Sequence, residues 1–291
     1  MLFPPAVVNH VGPAKFVLGP TVRKASRAFG LFDAQGEPVP FCQDVPHTGR
    51  TRALDGRYED LSAELTAILG PTIEGPVLYA GLADKQFGFA ILQSLGRLWA
   101  CEELPSDTRL LFLNKLRPRT VLPALTALLN WLEIPNKPIF LQSNMQLEDA
   151  YTCPTLFGEG YDGHADPIFR DWLSGRLPPA PPLEKGRKIY VTRSGLGPLF
   201  GRNLCEDHLE ELLRRDGFDI FRPEAHDLRT QTEVYRRAET LVFSEGSALH
   251  FFGLVKRAGQ RVVVIQRRHD VPTLIRNQVE AMDPTPVVYI D

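Results

Sequence analysis

The sequence lacks the features that mark several protein classes. Its 291 residues include four cysteines, with no CxxC pair and no Cys/His group at zinc spacing. This pattern predicts free, buried thiols in a reducing compartment. No run of about 18 apolar residues occurs, and the start MLFPPAVVNHVGPAKF lacks the basic and apolar regions of a signal peptide. We therefore expect a cytoplasmic protein with no transmembrane segment, and a peripheral contact with a membrane stays open.

A surplus of charge of one sign is also missing. Lys and Arg number 33 and Asp and Glu 35, so the formal net charge is −2. This balance predicts no nucleic-acid partner. The hydrophobic fraction of 43% and the charged fraction of 23% are typical of a soluble globular protein. The length allows one large or two ordinary domains.

Three common catalytic or nucleotide-binding motifs are absent. Neither GxxxxGK[ST] nor GxGxxG occurs in the right context. Ser247 is followed by Ala248 and Leu249, so no glycine closes a GxSxG elbow. An unrelated α/β hydrolase is therefore poorly supported.

Strand and helix patterns alternate along most of the chain. A Pro- and Gly-rich lead-in over residues 1 to about 60 predicts short strands about a turn at Asp33 to Gly36, and a helix is predicted at 58–69. The alternation that follows is typical of a doubly wound parallel sheet. Strands are predicted at 76–81, 109–113, 138–141, 188–192, 219–221, 241–244, 261–266 and 287–290, and helices at 87–102, 121–132, 167–175, 206–215, 230–238 and 247–258.

Four prolines within residues 177–182, followed by a charged run, form the clearest linker. We predict an N-terminal α/β domain at 1–176 with its β-rich lead-in, a linker at 177–187 and a C-terminal Rossmann-like domain at 188–291. Two α/β domains joined by a proline-rich hinge imply a cleft between them.

The turn Glu245-Gly246-Ser247 joins a predicted strand to a predicted helix. The first N–H groups of a helix are unpaired and carry partial positive charge, so a diphosphate fits at such a turn. Gly246 allows close approach, and Ser247 can cap the helix and still donate its hydroxyl. Glu245 adds a carboxylate beside the pocket. An ordinary capped turn is the alternative reading.

Two arginines are predicted on the same side of the C-terminal domain. Arg193 follows the strand 188–192, and Arg202 lies in the loop before the next helix. The planar fork of arginine suits phosphate oxygens, so we predict that both bind a diphosphate together with the backbone of Ser247 and Ala248. Solvated surface arginines are the alternative.

Each of the other candidate polar residues allows a functional and a structural interpretation. The Gln231 amide could reach a base or a sugar hydroxyl, or could only cap its helix. His250 could face the ligand, although a packed histidine is the simpler reading. Asp84 follows the strand 76–81 and could act as a general base or cap the next helix. The ionisable residues Asp162, His164 and Asp166 also fit an interdomain loop.

Five segments in order resemble glycosyltransferase family 61, which includes capsular-polysaccharide-type, plant xylan and animal O-mannose glycan enzymes. They are KIYVTRS, GRNLCEDHLEELL, DGFDIFRPE, RTQTEV and SEGSALHFFGL, and the first-domain segment FGFAILQSLGRLWACEELPSDTRLLFL is a weaker match. The sequence departs from the family pattern at three positions. Glu245 and Phe89 stand where the family has histidine, and Cys205 replaces the asparagine of an Asn-Glu pair that keeps Glu206.

The resemblance implies an α/β fold of GT-B type, in which two Rossmann-like domains with parallel sheets face each other across a cleft. It also implies a nucleotide sugar held by the C-terminal domain, inversion at the anomeric carbon and no obligatory metal or other cofactor. Glu245 or Asp84 is expected to be catalytic. The residues expected to bind the donor are Arg193, Arg202, Glu206, Gln231, Gly246, Ser247, Ala248 and His250.

The leading hypothesis is an inverting, metal-independent glycosyltransferase of surface or capsular polysaccharide synthesis. It would move a sugar from a nucleotide-sugar donor to a glycan or lipid-linked glycan acceptor. The three departures from the family pattern motivate the alternative, a degenerate protein of the same fold that binds a nucleotide or glycan without catalysis.

Overall fold

A computed structural model describes residues 3–22, 26–42, 70–114, 122–141, 143–197, 201, 203–267 and 272–291. The chain divides into two compact units, Met1–Gly160 (unit 1) and Tyr161–Asp291 (unit 2). The helix predicted at 58–69 lies outside the described residues. The domain boundaries at 176 and 188 and the linker at 177–187 stay predictions.

Unit 1 is built on a six-stranded sheet of order β2-β1-β6-β3-β4-β5. Its strands are β1 Asn9–Val22, β2 Ser26–Asp33, β3 Thr72–Ala83, β4 Arg109–Asn114, β5 Pro138–Leu141 and β6 Met145–Thr152. Strands β6, β3, β4 and β5 are parallel, whereas β1 pairs antiparallel with both β2 and β6. The sheet is thus rich in parallel strands: the strands predicted from residue 76 onward are present as β3, β4 and β5, and the predicted β-rich lead-in adds the antiparallel strands β1 and β2. The sequence connects β1 and β2 so closely that they can pair only as an antiparallel hairpin.

One predicted helix of unit 1 is broken in the structure. Residues 87–102 form α1 Phe87–Ser94 and then a 3₁₀ helix at Leu98–Glu102. Gly96 lies between them, where an added Cβ would overlap Thr155 and the Phe157 carbonyl. Arg97 turns into the core and donates from Nε to the Cys153 carbonyl at 3.2 Å. These tertiary contacts override the helical periodicity.

The helix α2 Pro123–Trp131 confirms the helix predicted at 121–132. One buried cluster of unit 1 joins Val77 and Tyr79 of β3 to side chains of β1, β2, β4 and β6. Burying one such apolar side chain contributes about 2 kcal/mol. This cluster packs side chains of the antiparallel strands β1 and β2 against side chains of the parallel strands.

Unit 2 has a five-stranded sheet in which every pairing is parallel, in the order β11-β10-β9-β7-β8. The strands are β7 Glu184–Val191, β8 Phe218–Phe221, β9 Ala238–Ser244, β10 Arg261–Ile265 and β11 Val288–Ile290. The helices of its described residues are α3 Pro167–Arg176, α4 Glu206–Arg215, α5 Leu228–Arg237, α6 Ala248–Val255 and α7 Thr273–Val279. The predicted alternation is thus confirmed, while α7 and β6 of unit 1 were not predicted.

The strand order of unit 2 determines where a ligand can bind. Counted from β7, the order is 2-1-3-4-5, so the direction of winding reverses between β7 and β9. In open α/β sheets, ligands bind in the crevice outside the carboxyl ends of the two strands at such a reversal. The residues after Val191 and after Ser244 therefore border the expected crevice.

The residue before α4 has a strained backbone. Cys205 has φ 54° and ψ 29°, in the left-handed region, and its side chain is exposed. This conformation costs most residues about 1–2 kcal/mol, whereas asparagine adopts it more readily.

We therefore expect Cys205→Asn to raise the free energy of unfolding by about 1 kcal/mol, measured by urea unfolding under reducing conditions. Cys205→Ser is the matched control, because it removes the thiol without favouring the left-handed region. Equal stability of both variants and the parent chain would show that the backbone conformation carries no strain.

Candidate functional site

Arg193 lies at the carboxyl end of β7 and is 9% exposed. Its backbone N–H donates to Oε1 of Glu206 at 2.9 Å, and its Nε donates to the Gly201 carbonyl at 3.2 Å. Burial and the neighbouring Arg267 lower the pKa of the Arg193 guanidinium, against the charges of Glu206 and Glu245. A buried cation with a second cation beside it favours an anionic ligand.

The Arg193 guanidinium lies against Gly246, the residue between β9 and α6. A Cβ added at Gly246 would overlap the Nη1 atom of Arg193. Only a glycine therefore lets this arginine reach the amino end of α6. The first N–H groups of a helix have no partner within it, so the cation and the backbone of Ser247 and Ala248 can bind the same anion.

Ser247 does not cap the helix as predicted. Its φ of −62° and ψ of −21° are helical, whereas a capping residue usually has an extended backbone, and its hydroxyl makes no capping hydrogen bond. The prediction of a capping serine is therefore wrong. The Ser247 side chain is exposed at the edge of the crevice, where its hydroxyl can donate to a ligand.

Arg267 is a second cation of this edge that was not predicted from the sequence. It follows β10, and its guanidinium lies beside Gly201, where an added Cβ would be 2.5 Å from Nη1. Arg193 and Arg267 thus both contact Gly201. Its place in the sequence could have suggested this role, because Arg267 lies two residues after β10 and Arg193 lies two residues after β7.

Glu245 is fully buried, with 0% of its surface exposed. Its Oε2 accepts from the Arg267 N–H at 2.9 Å, and its own N–H donates to the Ile265 carbonyl at 3.0 Å. The carboxylate therefore joins the end of β9 to the end of β10, and its charge acts on Arg193. A role for Glu245 as base or sugar ligand stays a prediction.

Glu206 supports the loop after β7. It is 2% exposed, and its Oε1 accepts from Tyr190 Oη at 3.1 Å and from the Arg193 N–H, and lies 3.1 Å from Thr192 Oγ1. Burial, followed by the charge of Glu206, raises the pKa of Tyr190. Glu206 thus fixes the backbone that carries Arg193, and direct contact of Glu206 with a substrate stays a prediction.

Glu210 lies one helical turn after Glu206 and extends the same network. Its side chain accepts from Thr192 Oγ1 at 2.8 Å, from Ser194 Oγ, and from Arg222 Nη2 at 2.7 Å. Burial acts to raise the pKa of Glu210, but the hydrogen bonds from Ser194 and Thr192 and the charge of Arg222 hold it below the ordinary value.

Two other predicted site residues make contacts within unit 2. The Nε2 of Gln231 donates to the Pro223 carbonyl at 2.9 Å and to the His226 carbonyl at 3.0 Å, which fixes the loop after β8. His250 Nδ1 lies 3.1 Å from Gln278 Oε1, and Gln278 Nε2 donates to the His250 carbonyl at 2.9 Å. The roles of Gln231 and His250 in substrate binding stay predictions.

The remaining candidates lie elsewhere. In unit 1, Oδ1 of Asp84 accepts from the Gln86 N–H at 2.9 Å. In unit 2, Asp166 caps α3 through the Ile168 N–H at 2.8 Å, and Asn277 Nδ2 donates to the Asp162 carbonyl at 2.9 Å. Arg202 lies outside the described residues. The structure thus brings together Arg193, Glu206, Glu245, Gly246, Ser247 and Ala248, and adds Arg267.

The family model Glycosyltransferase 61 matches residues 87–263, which is more than half of the chain. The chain belongs to the glycosyltransferase 61 family. The match includes Arg193, Glu206 and Gly246, whereas Arg267 lies just beyond it. No match to the chain is found among curated proteins.

In the part of this glycosyltransferase 61 chain that the structure describes, no helix is both long and apolar enough to cross a membrane. The described residues also contain no group of three or more His, Cys, Asp or Glu side chains that could hold a metal ion.

The Glu210 network predicts how stability depends on pH. The pKa of Glu210 is lowered in the folded state, so its ionised side chain contributes fully to the free energy of unfolding above the unfolded-state pKa of about 4.3. This contribution is lost as the pH falls through the folded-state pKa. At pH 7 we expect Glu210→Gln to lower the free energy of unfolding by about 2 kcal/mol.

Below pH 4 the difference between Glu210→Gln and the parent chain should shrink. Urea unfolding between pH 7 and pH 3 measures it, with Glu211→Gln as the control, since Glu211 is the exposed neighbour on the same helix. A difference that stays constant over this range would contradict the lowered pKa.

Proposed function

We propose that this chain is an inverting glycosyltransferase that moves a sugar from a nucleotide-sugar donor to a glycan or lipid-linked glycan acceptor. One observation carries the proposal. The Arg193 guanidinium lies against Gly246 at the reversal point between β7 and β9, inside the segment that matches the family. A cation held at a helix N-terminus is suited to a diphosphate.

The donor diphosphate would bind between the two arginines and the amino end of α6. Arg193 offers a planar fork of N–H donors, and the backbone of Ser247 and Ala248 offers further donors. The like charges of Arg193 and Arg267 repel each other, and a bound diphosphate relieves that repulsion. The exposed Ser247 hydroxyl adds one more donor.

The same cations would assist the reaction. The acceptor oxygen attacks the anomeric carbon from the face opposite the diphosphate, and the bond from that carbon to the phosphate oxygen breaks. The electron pair leaves with the nucleoside diphosphate, whose growing negative charge Arg193 and Arg267 stabilise. Because protein cations supply this stabilisation, we propose that no metal is required.

The proposal gives the other site residues distinct roles. Glu206 and Glu245 hold the two arginine-bearing loops, while Gln231 and His250 support the loops beside them. Unit 1 would bind the acceptor, in a two-domain arrangement of GT-B type with Asp84 as the base predicted from the sequence. Synthesis of surface or capsular polysaccharide in the cytoplasm is the setting that we propose.

A second candidate is a protein that binds a nucleotide or a glycan without catalysis. The complete burial of Glu245 favours it, because a carboxylate with no exposed surface is a poor base for an acceptor hydroxyl. Turnover of any sugar nucleotide would exclude this candidate.

The first experiment is a thermal-shift screen with nucleoside diphosphates and UDP-, GDP- and dTDP-sugars, with and without EDTA. A ligand that binds only the folded chain raises the melting temperature. We expect one nucleotide class to stabilise the chain equally in both conditions. A shift that disappears with EDTA would contradict metal independence, and no shift at all would contradict the donor site.

Gly246→Ala should weaken binding of the nucleotide found in that screen at least tenfold, which is about 1.4 kcal/mol. The added methyl group displaces the Arg193 guanidinium from the amino end of α6. Isothermal titration calorimetry measures the change. Gly197→Ala is the matched control, because a Cβ at this exposed glycine meets nothing within 4 Å. Equal affinity in both variants would remove Arg193 and Gly246 from the site.

Arg267→Gln should lower kcat/KM for the sugar nucleotide by roughly ten- to a hundredfold, because one of two cations that stabilise the leaving group is lost. Steady-state release of nucleoside diphosphate measures this. Arg261→Gln is the control, since Arg261 is an exposed arginine at the opposite end of β10. Unchanged kinetics in Arg267→Gln would show that Arg267 does not stabilise the leaving group.

A further inference from the structure

An exposed carboxylate, Glu224, lies beside Arg193 in the loop after β8. Strands β8 and β7 are parallel, with Phe221 paired to the last residue of β7, so both loops leave the same edge of the sheet. A Cβ added at Gly195, two residues after Arg193, would overlap Oε1 of Glu224. Burial and the neighbouring Arg267 lower the pKa of Arg193, and the charge of Glu224 is among those that act in the opposite direction.

The backbone that carries Glu224 is fixed on both sides. The buried Gln231 side chain donates from Nε2 to the Pro223 carbonyl at 2.9 Å and to the His226 carbonyl at 3.0 Å. One of these residues comes directly before Glu224, and the other follows it by two positions. The loop therefore presents the carboxylate from a defined position, which lowers the entropic cost of binding a ligand.

The imidazole of His226 forms a flat surface in the same loop. It stacks on the ring of Phe221, with centroids 4.7 Å apart and an interplanar angle of 9°. Phe221 is buried, whereas His226 is exposed. An exposed ring held in this way offers a face on which a nucleobase can stack.

The charge of Glu224 indicates which part of a nucleotide it can bind. A carboxylate repels phosphate, so its place beside Arg193 favours a part of the ligand that carries hydroxyl groups. The 2′- and 3′-hydroxyls of ribose are two adjacent donors, and a carboxylate has two acceptor oxygens. In Rossmann folds that bind dinucleotides, a carboxylate likewise hydrogen-bonds the ribose 2′-hydroxyl.

We propose that Glu224 binds the ribose hydroxyls of the donor and that His226 stacks on its base, so that the chain selects a ribonucleoside diphosphate over its 2′-deoxy counterpart. The inference rests on the proposed function. The nucleotide would extend from Arg193 across Gly195 to the loop after β8. This direction leads away from β9, because β8 and β9 lie on opposite sides of β7.

The test compares UDP, GDP, ADP and CDP with their 2′-deoxy counterparts by isothermal titration calorimetry. We expect the parent chain to bind one ribonucleotide at least tenfold more tightly than the matching deoxyribonucleotide, because the Glu224 carboxylate is left unpaired by the latter. Glu224→Ala should weaken binding of the ribonucleotide about tenfold and should not weaken binding of the deoxyribonucleotide.

Inorganic diphosphate distinguishes hydrogen bonding from a general charge effect. Glu224→Ala removes a negative charge beside Arg193, so inorganic diphosphate should bind this variant as tightly as the parent chain or more tightly. A purely electrostatic role would strengthen binding of both nucleotides as well. Glu233→Ala is the matched control, because Glu233 is an exposed carboxylate of α5 that pairs with Arg237, and it should leave every affinity unchanged.

Two further variants test the loop. Gly195→Ala places a methyl group where Oε1 of Glu224 lies and should weaken ribonucleotide binding roughly threefold, whereas Gly197→Ala, whose Cβ meets nothing within 4 Å, should not. His226→Ala should weaken binding of both nucleotides about tenfold and keep the preference for ribose, because both ligands carry the base.

The outcomes separate this inference from the proposed function. A parent chain that binds neither nucleotides nor inorganic diphosphate would contradict the proposed function itself. Binding of inorganic diphosphate alone, equal affinity for both nucleotides, or an equal loss of both in Glu224→Ala would overturn the ribose site. A loss in Glu224→Ala that is seen with the sugar nucleotide but not with the free nucleoside diphosphate would assign Glu224 to the sugar and would also overturn it.

Discussion

The contact between the Arg193 guanidinium and the backbone of Gly246 is the constraint on which the candidate site depends. It exists because β7 and β9 are neighbours in the sheet although α4, β8 and α5 separate them in the sequence. Glycine at position 246 leaves the space that the guanidinium fills. The contact places a buried cation at the start of a helix, where backbone N–H groups also favour an anion.

Two buried carboxylates hold the loops on either side of this contact. Glu206 accepts hydrogen bonds from the Arg193 N–H and the Tyr190 hydroxyl, while Glu245 accepts one from the Arg267 N–H. Burying a carboxylate is costly unless hydrogen bonds and nearby charge compensate it. Here backbone donors and the two arginines supply that compensation. In the contacts that the structure describes, the acidic residues of the site hold the backbone that carries the two arginines.

Much of unit 2 could be predicted from the sequence, because its parallel strands are short apolar runs and its helices have clear periodicity. The meeting of Arg193 with the turn at Gly246 followed from one general rule about strand ends. Arg267 was missed because nothing local distinguishes an arginine after β10 from a solvated one. The Ser247 cap was wrong because serine chemistry alone does not fix the backbone angles of a turn.

Unit 1 was harder to predict because its features depend on distant contacts. The pairing of His10 with Tyr151 joins strands 141 residues apart along the chain and has no local signal. The break after α1 depends on packing at Gly96, and an apolar helical pattern cannot show it. A polar histidine near the start of a chain looks like an ordinary surface residue until a strand pairing places it beside a carboxylate.

Amide hydrogen exchange of the chain, with and without the nucleoside diphosphate that stabilises it, shows where that ligand binds. A diphosphate bound at this edge of the sheet should slow exchange in peptides that cover Arg193 and Ser247 to His250, with little change in α3. Protection confined to unit 1 or spread evenly over the chain would contradict a diphosphate site between β7 and β9.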